Sequence, residues 1–461
     1  MSIERLKTGN KELDEVLHGG FPINTINVVM GAPGSGKTIL AEQLVFANAS
    51  ENSHALYLTT LSEPLDKFIQ HGQTYSFFDS SKVGDTVSYE DLGLTIRDRG
   101  INALSEIVSE LLLERRPRVI VIDSFKALNE LFETEHERRT ILFDLASVLT
   151  AYQCTTFFVG EYSPEMMTEL PEFAIADSII MLLKHSTGVR EQRFLKVEKL
   201  RGSASIPGMH AFNISEDGIL LYPRLLTPNV SPVYTSTPQR VNTGVTGLDD
   251  MIETGFWQGS TTLVAGPSGA GKTIVGLHFI REGVLNNEPG VYVGFQENPV
   301  QLSRTMRNFK WNPEQLLEND IFELAYRSPV EMQLDSVAAE LFNRVRQGRI
   351  KRVVIDAIGD LKKSSSDNQR FSDFMYAITQ WFATENVTCM LLYETANLYE
   401  VTRISDEEIS NMSDNIVLLS FTRGPEMARR VRILKTRGSG HDHREHTLEI
   451  TDAGVTVKKF N

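Results

Sequence analysis

Short apolar segments recur along the chain and alternate with longer amphipathic segments. In the first half they read TINVVMG, ALYLTT, RVIVID and TTFFVGE, and in the second half TTLVAG, GVYVGF, RVVID and TCMLLYE. Helical patterns such as GKTILAEQLVFANAS and SDFMYAITQWFATE lie between them. Continuous apolar strands separated by helices are typical of a parallel sheet that is covered on both faces. The pattern therefore predicts an α/β fold with mostly parallel sheets.

The two halves of the chain repeat each other at a nearly constant offset. The segment TGNKELDEVL at Thr8 recurs as TGVTGLDDMI at Thr243, and 243 − 8 = 235. Such a repeat is a whole domain, because the units of solenoids span only about 20 to 50 residues. We therefore predict two similar domains, 1–222 and 241–461. The prolines between them disfavour helix, which predicts an extended linker at 223–240.

Composition and charge narrow the class of protein. The 461 residues are too many for one core. A net charge of −14 disfavours a nucleic-acid-binding protein, which needs a basic surface. The polar N-terminus shows no secretory signal, and no apolar run approaches the roughly 20 residues of a membrane helix. Two cysteines fit a reducing compartment, so we expect a cytoplasmic protein that binds no membrane.

Each half contains the phosphate-binding pattern G-x-x-x-x-G-K-[ST] between a predicted strand and a predicted helix. The two loops read GAPGSGKT and GPSGAGKT. Their backbone N–H groups and the helix N-terminus favour bound phosphate, and a chance glycine-rich turn does not account for two loops with correct flanks. We predict ATP contacts from Gly31, Ala32, Pro33, Gly34, Ser35, Gly36, Lys37, Thr38, Gly266, Pro267, Ser268, Gly269, Ala270, Gly271, Lys272 and Thr273.

The loops also predict how phosphate and Mg²⁺ are held. The lysines Lys37 and Lys272 are expected to reach the β and γ phosphates, and the hydroxyls of Thr38 and Thr273 are expected to ligate Mg²⁺.

An aspartate ends an apolar strand at a similar distance after each loop. Asp123 follows Lys37 by 123 − 37 = 86 positions, and Asp356 follows Lys272 by 356 − 272 = 84 positions. A carboxylate in this position can hold the Mg²⁺ shell, usually through water. An aspartate at a strand end is often only a cap, but its pairing with both loops favours the metal role.

On these residues the sequence resembles the KaiC family of tandem RecA-like ATPases. The resemblance rests on the duplicated TG…LD, both loops, VIVID and VVID, and the late segments KLRGS and KTRGSGHD, and it covers nearly the whole chain. It implies a homo-oligomeric ring, commonly a hexamer, with ATP between neighbouring subunits. It further implies that the late segments contact the neighbour's nucleotide through Lys199, Arg201, Lys435, Arg437, His441 and Asp442.

A cation supplied by a neighbour would neutralise the charge that develops on the γ phosphate. The alternative, that these residues are only surface charges on a hairpin, stays open.

The catalytic pair departs from the family pattern, in which two adjacent glutamates follow the strand after the loop. The second copy has Gln296 and Glu297 there, while the first copy has Leu61 and Ser62 with Glu63 one place further. Losing a general base lowers the rate by about 10²–10⁴-fold. We therefore expect both sites to bind ATP, the first to hydrolyse it very slowly if at all, and the second to be slow but more competent.

The phosphorylation segment departs as well. Clock members of the family phosphorylate an adjacent serine and threonine, and the corresponding residues here are Ser410 and Asn411. Asparagine has no hydroxyl, so a two-site cycle of that type is disfavoured, although Ser410 or Ser413 could accept one phosphate.

The sequence thus favours a ring-forming, Mg²⁺-dependent ATPase that hydrolyses ATP slowly and regulates a protein partner through nucleotide-dependent assembly. Three alternatives stay open: a non-hydrolysing ATP-gated scaffold, a serine autokinase, and a nucleic-acid motor, which the acidic composition disfavours.

Overall fold

A computed structural model describes residues 4–60, 65–187, 190–226, 238–317, 321–330, 332–347, 350–365, 367–395, 409–422 and 427–458. The chain divides into two compact units, residues 1–224 and 225–461. Most of the predicted linker, residues 227–237, lies outside the described residues.

The first unit alternates strands and helices. Its strands are β1 (Arg5–Leu6), β2 (Phe21–Pro22), β3 (Ile26–Gly31), β4 (His54–Thr59), β5 (Val87–Asp91), β6 (Pro117–Asp123), β7 (Thr155–Gly160), β8 (Ser178–Thr187), β9 (Arg190–Leu200), β10 (Met209–Ser215) and β11 (Gly218–Tyr222). Its helices are α1 (Lys11–Val16), α2 (Lys37–Asn48), α3 (Leu65–Gly72), α4 (Leu92–Arg99), α5 (Leu104–Arg115), α6 (Phe125–Leu128), α7 (Glu135–Ala151) and α8 (Pro171–Ile175).

Strands of the first unit form one large mixed sheet. Within the described residues its order is β11-β10-β9-β8-β3-β7-β6-β4-β5. The six strands from β8 to β5 are parallel, and β9, β10 and β11 extend the sheet in antiparallel fashion beyond β8. The strand β3, which precedes the first phosphate loop, therefore lies inside the parallel part.

The second unit repeats this alternation. Its strands are β12 (Arg240–Val241), β13 (Phe256–Trp257), β14 (Thr261–Gly266), β15 (Gly290–Gly294), β16 (Phe322–Tyr326), β17 (Arg352–Asp356), β18 (Thr388–Glu394), β19 (Asn415–Phe421), β20 (Arg429–Thr436), β21 (His446–Thr451) and β22 (Gly454–Lys458). Its helices are α9 (Lys272–Leu285), α10 (Pro299–Asn308), α11 (Pro313–Leu317), α12 (Leu334–Arg346), α13 (Ile358–Ser364), α14 (Asn368–Thr384) and α15 (Ile409–Met412).

The second large sheet has the same topology as the first. Its order over the described part of the unit is β16-β15-β17-β18-β14-β19-β20-β21-β22, parallel from β16 to β19 and antiparallel beyond. The predicted fold class, two tandem RecA-like α/β domains with mostly parallel sheets, is confirmed.

Each sheet is covered on both faces, as the continuous apolar strands predicted. All six residues of β3 are buried, with Val29 in one hydrophobic cluster and Val28 and Met30 in the cluster on the other face. In β14, Leu263 and Val264 likewise belong to hydrophobic clusters on opposite faces of the sheet. Side chains of a strand alternate between faces, so two helical layers require apolar residues at every position.

Candidate nucleotide-binding sites

Both phosphate loops connect the C-terminal end of a central parallel strand to a helix N-terminus. The first loop lies between β3 and α2, and the second between β14 and α9. Gly36 has φ 100° and Gly271 has φ 103°, a region that favours glycine, and each directly precedes its helix. The first turn of each helix therefore presents unpaired N–H groups to the loop, which is an anion-binding arrangement.

The loop lysines fold back over their own loops. Lys37 donates from Nζ to the carbonyl of Ala32 at 2.9 Å, and Lys272 donates to the carbonyl of Pro267 at 2.9 Å. An ammonium group has three donors. Each lysine can therefore keep its loop contact and still donate to a phosphate oxygen.

In the first unit, a threonine and a tyrosine converge on the strand-end aspartate. Thr38 donates from Oγ1 to Oδ2 of Asp123 at 2.8 Å, and Tyr57 donates from its phenol to the same oxygen at 2.8 Å. Thr38 lies in the first turn of α2 after the loop, Asp123 ends β6 and Tyr57 lies in β4. Three separate elements therefore position one carboxylate beside the loop.

The second unit has the same network. Thr273 donates to Oδ2 of Asp356 at 2.8 Å, and Tyr292 donates to that oxygen at 2.5 Å. Neither tyrosine was predicted from the sequence. The signal was present, because ALYLTT and GVYVGF carry a tyrosine at the same place and 292 − 57 = 235.

The chemistry of these side chains fits a magnesium ion. Burial raises the pKa of the Asp123 and Asp356 carboxyls, and hydrogen bonds from the threonines and tyrosines oppose this effect. A buried carboxylate gains from a nearby cation, and carboxylate and hydroxyl oxygens are the hard ligands that Mg²⁺ prefers. Thr38 with Asp123, and Thr273 with Asp356, are thus the residues that would hold Mg²⁺ with the phosphates.

A glutamate at the end of the next strand also belongs to each site. Glu394 ends β18 and lies 3.8 Å from Nζ of Lys272. In the first unit, Glu161 lines a cavity of about 610 Å³ together with Lys37 and Asp123. Burial lowers the pKa of Lys37, and the Glu161 carboxylate opposes this effect. Neither glutamate was predicted from the sequence, although TTFFVGE and TCMLLYE each end in one.

The candidate catalytic residues of the second unit follow β15, whose last residue pairs with Asp356. Partial burial and the Asp356 carboxylate raise the pKa of Glu297. Gln296 donates from Nε2 to Oδ2 of Asp360 at 2.8 Å. The corresponding residues Leu61, Ser62 and Glu63 of the first unit lie outside the described residues.

In the first unit, the predicted neighbour-contacting cations bind carbonyls at the end of α8. Lys199 donates to the carbonyl of Phe173 at 3.3 Å and Arg201 to that of Ala174 at 3.4 Å. Arg201 also lies 3.6 Å from a carboxylate oxygen of Asp177.

The second unit repeats these contacts. Lys435 donates to the carbonyls of Ser410 at 2.9 Å and Ser413 at 2.7 Å. Arg437 donates to the carbonyl of Asn411 at 2.8 Å and lies 3.6 Å from Asp414. Cations at a helix C-terminus complement its partial negative charge.

Strand register places these cations and the phosphate loop of the same domain at opposite ends of the parallel strands. These ends form two opposite edges of the sheet. Lys199 pairs with Ile179 in β8, and β8 pairs with β3 beginning at Asn27, near the start of β3. The loop follows the other end of β3. At about 3.3 Å per residue the edges are roughly 15 Å apart. Lys435 has the matching position, since Ile416 pairs with it and also with Leu263 near the start of β14.

The late loop of the second unit is ordered by local contacts. Thr436 and His441 share a hydrogen bond of 3.0 Å, and Asp442 pairs with Arg444 at 2.8 Å and His446 at 3.1 Å. Within the part of the chain that the structure describes, no group of three or more His, Cys, Asp or Glu residues could hold a metal ion.

The two candidate phosphoacceptors differ in access. Ser413 is fully buried, and its hydroxyl donates to the carbonyl of Ile409 at 2.9 Å. Ser410 lies in α15 and is half-buried. Of the two serines, Ser410 is the more accessible.

Two phosphate loops, each between a parallel strand and a helix, with a strand-end aspartate beside the loop threonine, define a tandem P-loop nucleotide-binding protein of the RecA-like type. The family described as "ATPase: KaiC" matches residues 6–225 and again residues 241–460. The chain belongs to the KaiC family.

Known relatives resemble the chain over nearly its whole length. The "Circadian clock oscillator protein KaiC" of Synechococcus elongatus is 26% identical over 474 residues, covering 99% of this chain and 89% of the relative. The protein of the same description from a Picosynechococcus species is 25% identical over 469 residues, covering 99% and 90%. "Circadian clock oscillator protein KaiC 1" of a Synechocystis species is 26% identical over 471 residues, covering 99% and 89%. None of the helices in the described ranges is long and apolar enough to cross a membrane.

Proposed function

We propose that this KaiC-family chain forms a cytoplasmic homo-oligomeric ring, a hexamer, with ATP held between neighbouring subunits. Slow Mg²⁺-dependent hydrolysis at the second site changes the assembly and thereby regulates a protein partner. The observation that carries the proposal is the placement of each phosphate loop and its basic residues at opposite edges of one sheet.

This placement favours head-to-tail assembly. Arg201 and Arg437 lie far from the loop of their own domain, so they cannot contact nucleotide bound there. A neighbour related by rotation could offer its loop edge to this basic edge. Contacts between two different patches generate rings when the rotation closes. An arginine that contacts the neighbour's γ phosphate would stabilise the charge of the transition state.

The second site has groups suited to hydrolysis. The oxygen of a water molecule forms a bond to the γ phosphorus, and the bond to the β–γ bridging oxygen breaks with its electron pair on ADP. Glu297 accepts the proton of the water, and Gln296 orients the water by hydrogen bonding. Mg²⁺ held by Thr273 and Asp356 would neutralise phosphate charge, and Lys272 binds the β and γ phosphates.

The first site is proposed to hold ATP and to turn it over very slowly if at all. Lys37, Thr38 and Asp123 have the same arrangement as their counterparts, which supports equal binding of nucleotide. Leu61 cannot orient water, so hydrolysis there depends on Glu63 alone.

Site-specific variants test this division. Lys37→Ala and Lys272→Ala each remove one loop lysine, and phosphate release per chain is measured for intact oligomers. We expect Lys37→Ala to keep most of the turnover and Lys272→Ala to lose most of it. Loss of all activity in Lys37→Ala, with oligomers intact, would contradict the proposal. Chelation of Mg²⁺ should abolish the remaining activity.

Assembly is tested by light scattering after size-exclusion chromatography in ATP, ADP and a non-hydrolysable ATP analogue. We expect a hexamer with ATP and with the analogue, and a different distribution with ADP. The missing glutamates of the catalytic pairs, one in the second copy and both in the first, favour a second candidate, an ATP-gated scaffold. Identical behaviour with ATP and the analogue, without phosphate release, would support the scaffold and overturn the ATPase.

A further inference from the structure

The amide of Gln296 is held by a buried carboxylate. Its Nε2 lies 2.8 Å from Oδ2 of Asp360, and Asp360 is 4% exposed. Asp360 lies in the first turn of α13, four positions after Asp356. The other carboxylate oxygen accepts from Lys363 at 3.1 Å. Both oxygens of Asp360 are therefore engaged, one of them by the residue that stands in the place of a glutamate.

The first copy lacks both members of this pair. Gln296 corresponds to Leu61, because 296 − 61 = 235, and Asp360 corresponds to Ala127, because 360 − 127 = 233. The second offset is also that of the metal aspartates. Ala127 lines the cavity beside the first phosphate loop. By this correspondence, Asp360 occupies a position beside the nucleotide site. The second copy has Gln296 and Asp360 where the first copy has Leu61 and Ala127.

The contact fixes which end of the amide faces the site. An ionised carboxylate only accepts hydrogen bonds, so it binds the NH₂ group of Gln296 and not its carbonyl. The Oε1 atom of Gln296 then remains an acceptor for water. Without Asp360, the amide could turn and present its NH₂ group, which cannot accept a hydrogen bond from the attacking water.

We propose that Asp360 is a positioning residue of the second site, and that it holds Gln296 so that Oε1 accepts a hydrogen bond from the attacking water. This inference rests on the proposed hydrolysis at that site. A purely structural role would be the reverse, with Gln296 serving only to satisfy the buried Asp360. The structural role predicts loss of stability in Gln296 variants without a specific loss of turnover in Asp360 variants.

The test uses the full-length Lys37→Ala chain, so that only the second site turns over ATP. Asp360→Ala is introduced with either Gln or Glu at position 296. With Gln296 we expect kcat to fall about tenfold, because the orienting group is no longer held. In the Gln296→Glu background we expect no fall, because either oxygen of a carboxylate accepts from water. KM should change less than about threefold in both backgrounds.

Binding and folding are read separately. A fluorescent ATP analogue should bind Asp360→Ala with unchanged Kd, and its thermal unfolding should still show a cooperative transition. Lys363→Ala is the matched control, because the Lys363 side chain is 71% exposed and binds the other oxygen of Asp360, Oδ1, at 3.1 Å. We expect it to leave kcat unchanged.

Two results would overturn the inference alone: an unchanged kcat in Asp360→Ala, or an equal fall in both backgrounds. Absence of hydrolysis in Lys37→Ala itself, with ATP still bound, would overturn the proposed function and the inference together.

Discussion

Tyr57 donates its phenolic hydrogen to Oδ2 of Asp123 at 2.8 Å, the oxygen that also accepts from Thr38. Hydrogen bonds to charged groups contribute about 1.5–3 kcal/mol, and removing a donor leaves a buried carboxylate less satisfied. We expect Tyr57→Phe to lower the free energy of unfolding of the first unit by about 1–3 kcal/mol, measured by urea denaturation.

Tyr292→Phe is the matched variant, because Tyr292 makes the same contact to Asp356. It should destabilise the second unit by a similar amount. A variant of either tyrosine that unfolds like the wild type would show that water or the threonine replaces the phenol.

Because Glu42 is buried, we expect the stability of the first unit to depend on pH. It is 3% exposed, its Oε1 has no hydrogen-bond partner among the described residues, and burial with the Asp123 carboxylate raises its pKa to about 8. In the unfolded chain the pKa of a glutamate carboxyl is about 4.3. Between these pH values the folded state binds more protons than the unfolded state, so the free energy of unfolding falls as pH rises, by at most roughly 1.4 kcal/mol per pH unit. The contribution of the protonated Glu42 is fully present below the unfolded pKa and is lost as pH rises through about 8.

The variant Glu42→Leu removes this dependence, since the second unit has Leu277 at the matching position and 277 − 42 = 235. Thermal unfolding at pH 6 and pH 8 should show a smaller difference for Glu42→Leu than for wild type. Glu51→Gln, in an exposed turn, should keep the wild-type difference. An equal pH difference in wild type and Glu42→Leu would contradict the prediction.

Arg437 is predicted to act in assembly. Asp414 holds it at 3.6 Å and accepts from the backbone N–H of Thr261, at the start of the strand that leads to the second loop, at 2.9 Å. Arg437→Ala should raise the ATP concentration needed for assembly by about tenfold or more, because a charge-assisted contact is lost. Light scattering across an ATP titration measures the shift.

Two variants separate a contact with the neighbour from general surface charge. Asp414→Asn keeps a side-chain oxygen for Thr261 but loses the ion pair, so it should shift assembly in the same direction by less. Arg432→Ala removes an exposed arginine of β20, the strand that Arg437 directly follows, and should have no effect. If Arg437→Ala assembles and turns over ATP like the wild type, these residues are only surface charges.

Ser410 tests the autokinase alternative. Incubation with Mg-ATP followed by mass spectrometry should give at most one phosphate per chain, located on Ser410 and absent from Ser410→Ala. Ser413→Ala should not change the yield, because the Ser413 hydroxyl is buried and already donates to Ile409. A phosphate on Ser413 would require α15 to unfold and would contradict this prediction.

The sequence predicted the parts of the fold and site that depend on backbone direction. Parallel strands end at one edge, so a residue that ends β6 had to lie near the loop after β3. The contact of Thr38 with Asp123 follows from that rule. The fold class followed similarly, because continuous apolar strands require helices on both faces of a sheet.

Contacts between side chains that lie after the ends of strands were not predicted, because they depend on where the following residues point. Asp360 meets Gln296 because the first turn of α13 points one carboxylate toward the end of another strand, and no local pattern encodes this. Tyr57 and Tyr292 are different, because their repetition was visible. They were overlooked because a tyrosine in a buried strand resembles ordinary core packing.

The opposite placement of the phosphate loops and the basic residues gives each domain a leading and a trailing face. Subunits joined through these faces all point the same way around the assembly, and a twofold dimer cannot form by this contact. In the proposed ring, a single subunit without Arg437 would still accept a neighbour at its loop edge while weakening the joint at its other edge. A minority of such subunits in a mixed population would therefore interrupt more rings than their share of the chains.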